Sequence, residues 1–322
     1  MIFKRASLLA VCGLLACLHA HAAYPEKPIR IVTPFPAGSV TDIIARPMAL
    51  KLTEAWGVPV IVDNRTGAGG TVAGDVVAKA PPDGHTLVIG ATGLAIVNAL
   101  LYQKMPYDSQ RAFAPVTMAA TAGMMLVVHP SIPLQNVKDL ITLGKSRPGQ
   151  FTYGSSGNGS TPHLAAVLFT SMTGVQMIHV AYKGGSPQYT IDLITGRLEL
   201  AFASMAPVIP HVKSNRLRAL GVTSMKRTQA APDVPTLDEQ GITGFNADTV
   251  FGLYAPAATP PQTINRLHAE INRLLRDGPA KDQILQSGQV PQAQTIEQFT
   301  RGTQADYERY GIIIKASGIR AE

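Results

Sequence analysis

Residues 151–164 read FTYGSSGNGSTPHL, a pattern that predicts a short strand, a loop of small polar residues and then a helix. Pro162 suits the first helical position, and Thr161 suits the N-cap before it. The first N–H groups of a helix have no partner within the helix, and the helix dipole makes that end partly positive. Because a loop of glycine and serine leaves these donors uncovered, the pattern predicts an anion site for a carboxylate or a phosphate.

Short β-rich runs alternate with helical patterns along the chain, which predicts an α/β fold with a mainly parallel sheet in each of two units. The first series begins with a strand at 29–33 and the second with the apolar run 124–128, and a strand at 251–255 returns to the first series. We expect two lobes around a cleft. The expected division is lobe I from residues 23–122 plus 248–322, and lobe II from residues 123–247.

The first 22 residues predict a signal peptide, and hence export to the periplasm. Lys4 and Arg5 precede an apolar run at 6–18 that is too short to span a bilayer comfortably, and AHA at 20–22 fits a small-residue cleavage site. Two alternatives are a retained membrane anchor and a lipoprotein anchored through Cys17, because LLAC at 14–17 resembles a lipobox.

Composition and spacing exclude several classes of function. Both cysteines, Cys12 and Cys17, lie in the leader, so the processed chain would have no disulfide scaffold and no cysteine nucleophile. The formal net charge is +7, but the basic residues form no run, which argues against nucleic acid as a partner. The histidines lack metal-ligand spacing, and the loop at 154–161 has the glycine spacing of a P-loop without its lysine. We therefore predict no metal, no cofactor and no catalytic residue.

Hydroxyl groups gather at predicted strand ends, where parallel sheets bind their ligands. Small polar loops follow three of these ends, at residues 34–42, 91–93 and 154–161. The hydroxyl candidates are Ser39, Thr41, Thr92, Ser155, Ser156, Ser160, Thr161, Tyr182 and Ser204. A neutral cleft rich in donors suits reversible binding of a carboxylate. His163 either orients the third loop from behind or contacts the ligand. If His163 instead paired with a serine of that loop as base and nucleophile, the protein would be an exported serine-type hydrolase.

A series of short motifs runs in order through the chain after the leader. The motifs are YPxKPIR at 24–30, PFPAG at 34–38, VDNR at 62–65, GAGG at 67–70, DGxTL at 83–87, YGSSG at 153–157, GS and HL within 159–164, YKG at 182–184, PDVPT at 232–236 and AP at 255–256. Together they resemble the solute receptors of tripartite tricarboxylate transporters, also called Bug receptors.

The resemblance implies a two-lobed, type II (Venus flytrap) periplasmic binding protein that is not an enzyme. Such a receptor captures a small organic carboxylate and delivers it to membrane permease subunits; a membrane signalling protein is the alternative partner. We expect a mono-, di- or tricarboxylate, aromatic acids included, and a monomeric protein. The implied contacts are Phe35, Ala37, Gly38, Ser39, Thr41 and Asp42 on one lobe, Ser155, Ser156, Gly157, Asn158, Gly159, Ser160, Thr161 and His163 on the other, and Thr92 and Tyr182 nearby.

Three positions depart from the pattern of that family. The first loop commonly reads AGGSTD there but reads AGSVTD at 37–42 here. Ala203, next to Ser204, stands where relatives often carry Asp, and Val250 stands where they often carry Trp. These departures favour a plain or somewhat bulkier carboxylate over an amino acid as the ligand. Ala203, Ser204 and Val250 all belong to the predicted ligand-binding site.

Overall fold

The structure is a computed structural model that describes residues 24–102, 104–182 and 186–317. The predicted signal peptide, Cys17 and Lys183-Gly184 lie outside the described residues. Within the described ranges, no helix is both long enough and apolar enough to cross a bilayer.

Eleven strands form two sheets in the part of the chain that is described. The first sheet contains β1 (Ile29–Thr33), β2 (Val60–Asn64), β3 (Thr86–Ala91), β4 (Phe113–Ala122), β10 (Thr249–Pro256) and β11 (Val290–Pro291). The second contains β5 (Met124–Val128), β6 (Phe151–Ser155), β7 (Met177–Ala181), β8 (Leu200–Ser204) and β9 (Arg218–Val222). Their spatial orders are β11-β4-β10-β3-β1-β2 and β7-β6-β8-β5-β9.

Helices connect and cover these strands. They are α1 (Val40–Trp56), α2 (Thr71–Ala78), α3 (Asn98–Leu101), α4 (Val137–Ser146), α5 (Thr161–Thr173), α6 (Ser186–Ile194), α7 (Met205–Lys213), α8 (Pro261–Arg276), α9 (Pro279–Gln286) and α10 (Ile296–Ser317). A 3-10 turn, Ala68–Gly70, precedes α2, and a π-helical turn, Gly93–Val97, runs directly into α3.

The predicted two-sheet α/β architecture is confirmed, but both sheets are mixed rather than mainly parallel. In the first, β1 pairs in parallel with β2 and β3, while β10 lies antiparallel between β3 and β4. In the second, β6 pairs in parallel with β7 and β8, while β5 lies antiparallel between β8 and β9. Only Gly123 separates β4 of the first sheet from β5 of the second, so the chain passes directly from one sheet to the other at this point.

One apolar cluster runs continuously from the first sheet to the second. It includes Val32 and Val88 of the first sheet and Leu126 and Phe202 of the second, all fully buried. Helix α10 contributes Phe299, Tyr310 and Ile314 to the same cluster. The C-terminal helix therefore packs at the junction between the two sheets, against the turn Gly93–Val97 and the helices α3 and α5.

Candidate ligand-binding site

The first predicted loop, here called loop one, comprises residues 34–39 between β1 and α1. Its predicted contacts Phe35, Ala37 and Gly38 are exposed. Gly38 has φ of 80°, a left-handed conformation that favours glycine. Loop one therefore presents its surface to an approaching ligand.

The N-terminus of α1 lies at the end of loop one. Ser39 is the N-cap residue, but its side chain makes no capping hydrogen bond and its Oγ lies 3.2 Å from Thr41 Oγ1. Thr41 itself is buried. Since the first N–H groups of a helix have no acceptor within the helix, those of α1 are available to an anion.

Asp42 holds loop one together from inside. Its Oδ2 accepts hydrogen bonds from the Gly38 N–H at 2.9 Å and Arg46 Nε at 2.7 Å. Its Oδ1 accepts from Arg46 Nη2 at 2.9 Å and Asn64 Nδ2 at 3.0 Å. Burial acts to raise the pKa of this carboxyl, but the bonds from Arg46, Gly38 and Asn64 outweigh it and leave the pKa below its ordinary value. A carboxylate has about four lone-pair sites, so the predicted ligand contact of Asp42 finds its oxygens already occupied.

The third predicted loop, at 154–161, corresponds to residues 156–160 between β6 and α5 and is here called loop two. The predicted strand, loop and helix of residues 151–164 are all present, although the N-cap is Ser160 rather than Thr161. The Gly157 carbonyl accepts hydrogen bonds from Ser155 Oγ at 3.1 Å and Ser160 Oγ at 2.7 Å. Because Ser160 makes no side-chain cap, the first N–H groups of α5 are also open to an anion.

Two stacked histidines support loop two from behind. The Gly159 N–H donates to His163 Nδ1 at 2.9 Å, and the His163 and His179 rings lie 4.1 Å apart and 5° from parallel. Burial, with a contribution from His179, lowers the pKa of His163 to about 4, and burial also lowers the pKa of His179. His163 is therefore neutral near pH 7, and its Nδ1 orients the loop.

The free side-chain donors of this region lie on loop two and on Thr161, the first residue of α5. Ser156 and Asn158 are exposed and Thr161 is half-buried. Within the described ranges, no hydrogen bond occupies the side chains of these three residues. They are the polar side chains that a ligand would meet first.

The other predicted contacts lie in four different settings. Thr92 is buried, and its Oγ1 accepts from the Val250 N–H at 2.9 Å, so both residues are tied to each other. Tyr182 is half-buried and donates its hydroxyl to Asp192 Oδ2 at 2.9 Å. Ser204 is exposed at the end of β8. Ala203 is fully buried in an apolar cluster of the second sheet, so the structure places its side chain in the core rather than at a ligand surface.

The segment 93–101 connects the two loops. At its start, Leu94 lies next to Gly70, which also contacts Pro34 of loop one. At its end, Leu101 packs on Gly159 of loop two. The segment therefore runs from the neighbourhood of Gly70, beside Pro34 of loop one, to Gly159 of loop two, and its first turn is a π-helix, a form that occurs frequently at functional sites.

The serine-hydrolase alternative pairs a serine of residues 155–160 with His163, but His163 Nδ1 accepts the Gly159 N–H and the serine of that range that contacts a histidine does so at His179. Ser155 Oγ lies 2.6 Å from His179 Nε2, a distance that a nucleophile and its base would have. However, Ser155 has no exposed surface, and its Oγ also contacts the carbonyl and the N–H of Gly157. The pair holds loop two in place, with the Ser155 hydroxyl closed to solvent. Among the described residues, no group of three His, Cys, Asp or Glu side chains is placed to hold a metal ion.

Three residues outside the predicted set shape this site. Arg46 and Asn64 bind Asp42, and His179 binds Ser155. Asn64 stands within the VDNR motif, which the sequence singled out without a role. His179 gave no local signal, because it reaches loop two only through the pairing of β7 with β6, where it sits opposite Tyr153.

Comparison with known proteins points to one family. The family model described as tripartite tricarboxylate transporter family receptor matches residues 44–319. Protein BugT of Bordetella pertussis is 34% identical over 321 residues, covering 97% of this chain and 98% of that protein.

Two solved structures align with this chain over nearly all of their own length. R. palustris Rpa4515 with adipate has TM-score 0.79 and 34% identity over 92% of this chain and 99% of that chain. MatC from Rhodopseudomonas palustris with bound malate has TM-score 0.74 and 25% identity over 90% of this chain and 100% of that chain.

Proposed function

Since the chain belongs to the tripartite tricarboxylate transporter receptor family, we propose that it binds a small organic carboxylate between its two lobes and delivers it to membrane permease subunits. The family consists of solute-binding receptors rather than enzymes, and its members act in the periplasm. The proposal for this chain includes export by residues 1–22, a monomeric state and the absence of catalysis. The buried position of Ser155 supports this last point.

One observation carries the proposal: α1 and α5 both begin at the candidate site without a side-chain cap. A helix N-terminus stabilises an anion by about 0.3–1 kcal/mol, and by up to ~2 kcal/mol in partly buried geometries. Two such ends on two loops suit a ligand with a carboxylate at each end. Dicarboxylates are therefore the first class to test, in keeping with the adipate and malate of the two solved relatives.

The proposed lobes are residues 23–122 with 248–322, and residues 123–247. The two points where the chain passes between the sheets support this division. Strand β4 of the first sheet ends at Ala122, just before the strands of the second sheet begin, and the chain returns to the first sheet with β10 at Thr249. A ligand that touches both loops would favour the closed state in proportion to the contacts made only there.

Isothermal titration calorimetry of the purified protein tests binding directly. The panel contains adipate, malate, a monocarboxylate, a tricarboxylate and benzoate, with the neutral diamide of adipic acid as the matched control. We expect saturable binding of at least one acid and none of the diamide, because only a carboxylate uses the helix N-termini. Native mass spectrometry of the protein as purified should detect any retained acid. Failure of every acid in both measurements would contradict the proposal.

A deletion strain tests delivery. Loss of the gene should abolish uptake of the radiolabelled acid that binds best, and expression of the wild-type chain should restore it. Normal uptake in the deletion strain, combined with loss of a transcriptional response to that acid, would instead identify a receptor for a signalling protein.

A further inference from the structure

The role of the VDNR motif follows from the position of Asn64. This residue ends β2 directly opposite Thr33, the last residue of β1. Its Nδ2 lies 2.6 Å from Thr33 Oγ1, 2.8 Å from the Phe35 carbonyl and 3.0 Å from Asp42 Oδ1. One side-chain amide thus joins the strand before loop one, the loop itself and the first turn of α1.

The amide is fully used in this position. Its two N–H donors serve three acceptors, and its Oδ1 accepts from Arg46 Nη2 at 3.4 Å. Thr33 Oγ1 lies 3.2 Å from the same Phe35 carbonyl, which adds a second tie across the start of the loop. Removing the amide would break several contacts at once.

Charge makes a neutral donor necessary here. Asp42 lies in the first turn of α1, at the same helix end that we assign to the ligand carboxylate. The Arg46 guanidinium, bonded to both Asp42 oxygens at 2.7 and 2.9 Å, cancels that charge. A second carboxylate beside this pair would oppose a ligand anion, whereas an asparagine donates a hydrogen bond without adding charge.

We propose that Asn64 is a positioning residue of the ligand site: it fixes loop one, through Asp42 and the Phe35 carbonyl, in the shape that exposes the α1 N-terminus to a carboxylate. The inference rests on the proposed function, since it assigns loop one to ligand binding. Asn64 acts without touching the ligand, by keeping the loop ordered before the ligand arrives.

The test compares Asn64→Ala and Asn64→Asp with Arg65→Ala as a matched control. Arg65 is the next residue along the chain, and its Nε bonds the Asp63 carboxylate at 3.1 and 3.0 Å. Calorimetry with adipate and malate, or with the acid of the panel that binds best, should give about tenfold to a hundredfold weaker binding for both Asn64 variants. Arg65→Ala should bind within about twofold of the wild type.

Asn64→Asp supplies a signature that loss of stability alone would not give. The carboxylate that this substitution introduces has no donor for the Phe35 carbonyl, but its protonated form regains one O–H donor. The affinity ratio of this variant to the wild type should therefore recover as pH falls from about 7 to about 4.5, toward the ordinary range of a carboxyl pKa, and taking the ratio cancels the titration of the ligand. The charged groups facing position 64 from α1 are Asp42 and Arg46, which both proteins share. Asn64→Ala should show a constant ratio.

Hydrogen exchange of the ligand-free protein separates this inference from the proposed function. A peptide covering 34–42 should exchange faster in Asn64→Ala, while peptides from the second sheet keep wild-type rates. If no acid binds the wild type, the proposed function fails and this exchange alone decides whether Asn64 orders loop one. Unchanged exchange at 34–42, unchanged affinity in both Asn64 variants, or equal acceleration throughout the protein would each overturn the positioning role.

Discussion

Replacing Gly159 by alanine should lower the free energy of unfolding by more than the cost of holding an alanine in the left-handed backbone conformation of that position. Gly159 has φ of +74°, and a Cβ there would overlap Leu101 Cδ1, which belongs to a buried side chain of the segment 93–101. Alanine in a left-handed conformation costs about 1–2 kcal/mol, and moving a packed side chain adds about 1–3 kcal/mol. The free energy of unfolding should therefore fall by about 2–5 kcal/mol in total.

Gly149→Ala is the matched control for the backbone contribution. Gly149 has φ of +71°, but a Cβ at that position would have no atom within 4 Å. Urea unfolding followed by far-UV circular dichroism should give a loss of only about 1–2 kcal/mol for this variant. The difference between the two glycine variants measures the contact with Leu101.

A double-mutant cycle with Leu101→Ala completes the measurement. Leu101→Ala alone should cost about 2–5 kcal/mol, because it leaves a cavity in a buried cluster. In the double variant the clashing Cδ1 is absent, so the combined loss should be smaller than the sum by about 1–3 kcal/mol. Equal losses for the two glycine variants, together with additive effects of Leu101→Ala, would refute the proposed contact between segment 93–101 and loop two.

Two further predictions concern loop two. His163 has a pKa of about 4 against an ordinary 6.5, so the unfolded chain binds more protons between these values. The stability due to neutral His163 is complete above pH 6.5 and is lost as pH falls to about 4. His163→Gln should reduce the dependence of the free energy of unfolding on pH between these values. An unchanged pH dependence would contradict the assignment of a neutral His163. Ser156→Ala should weaken binding of the best acid about tenfold, measured by calorimetry. Ser146→Ala, whose hydroxyl bonds the Leu143 carbonyl of its own helix, should bind like the wild type.

Local signals in the sequence were sufficient for the strand-to-helix turns. The stretch 151–164 folds as predicted because each of its signals acts over a few residues: β6 ends at Ser155, and Pro162 lies in the first turn of α5. The N-cap differed by one position, since Ser and Thr both suit that role.

Strand direction required information from distant parts of the chain. The sequence predicts that the strand at 251–255 returns to the first series, but the alternation of strands and helices gives no signal for its antiparallel insertion between β3 and β4. The same limit applies to the site. Hydroxyl residues such as Thr92 and Ser155 lie at the ends of strands, as the sequence predicts, but their partners Val250 and His179 come from other strands.

The two loops share one electrostatic property that bears on release of the ligand. In loop one the charge of Arg46 is matched by Asp42, and in loop two the lowered pKa values leave His163 and His179 neutral. Under the proposed function, the attraction for a carboxylate would therefore come from helix N-termini and from uncharged O–H and N–H donors, each of which contributes little alone. A buried ion pair would penalise departure of the ligand, because it would leave an uncompensated charge behind. In the proposed site, neutral donors on two loops would hold an acid only while both loops engage it, so opening of the proposed lobes would be sufficient to release it.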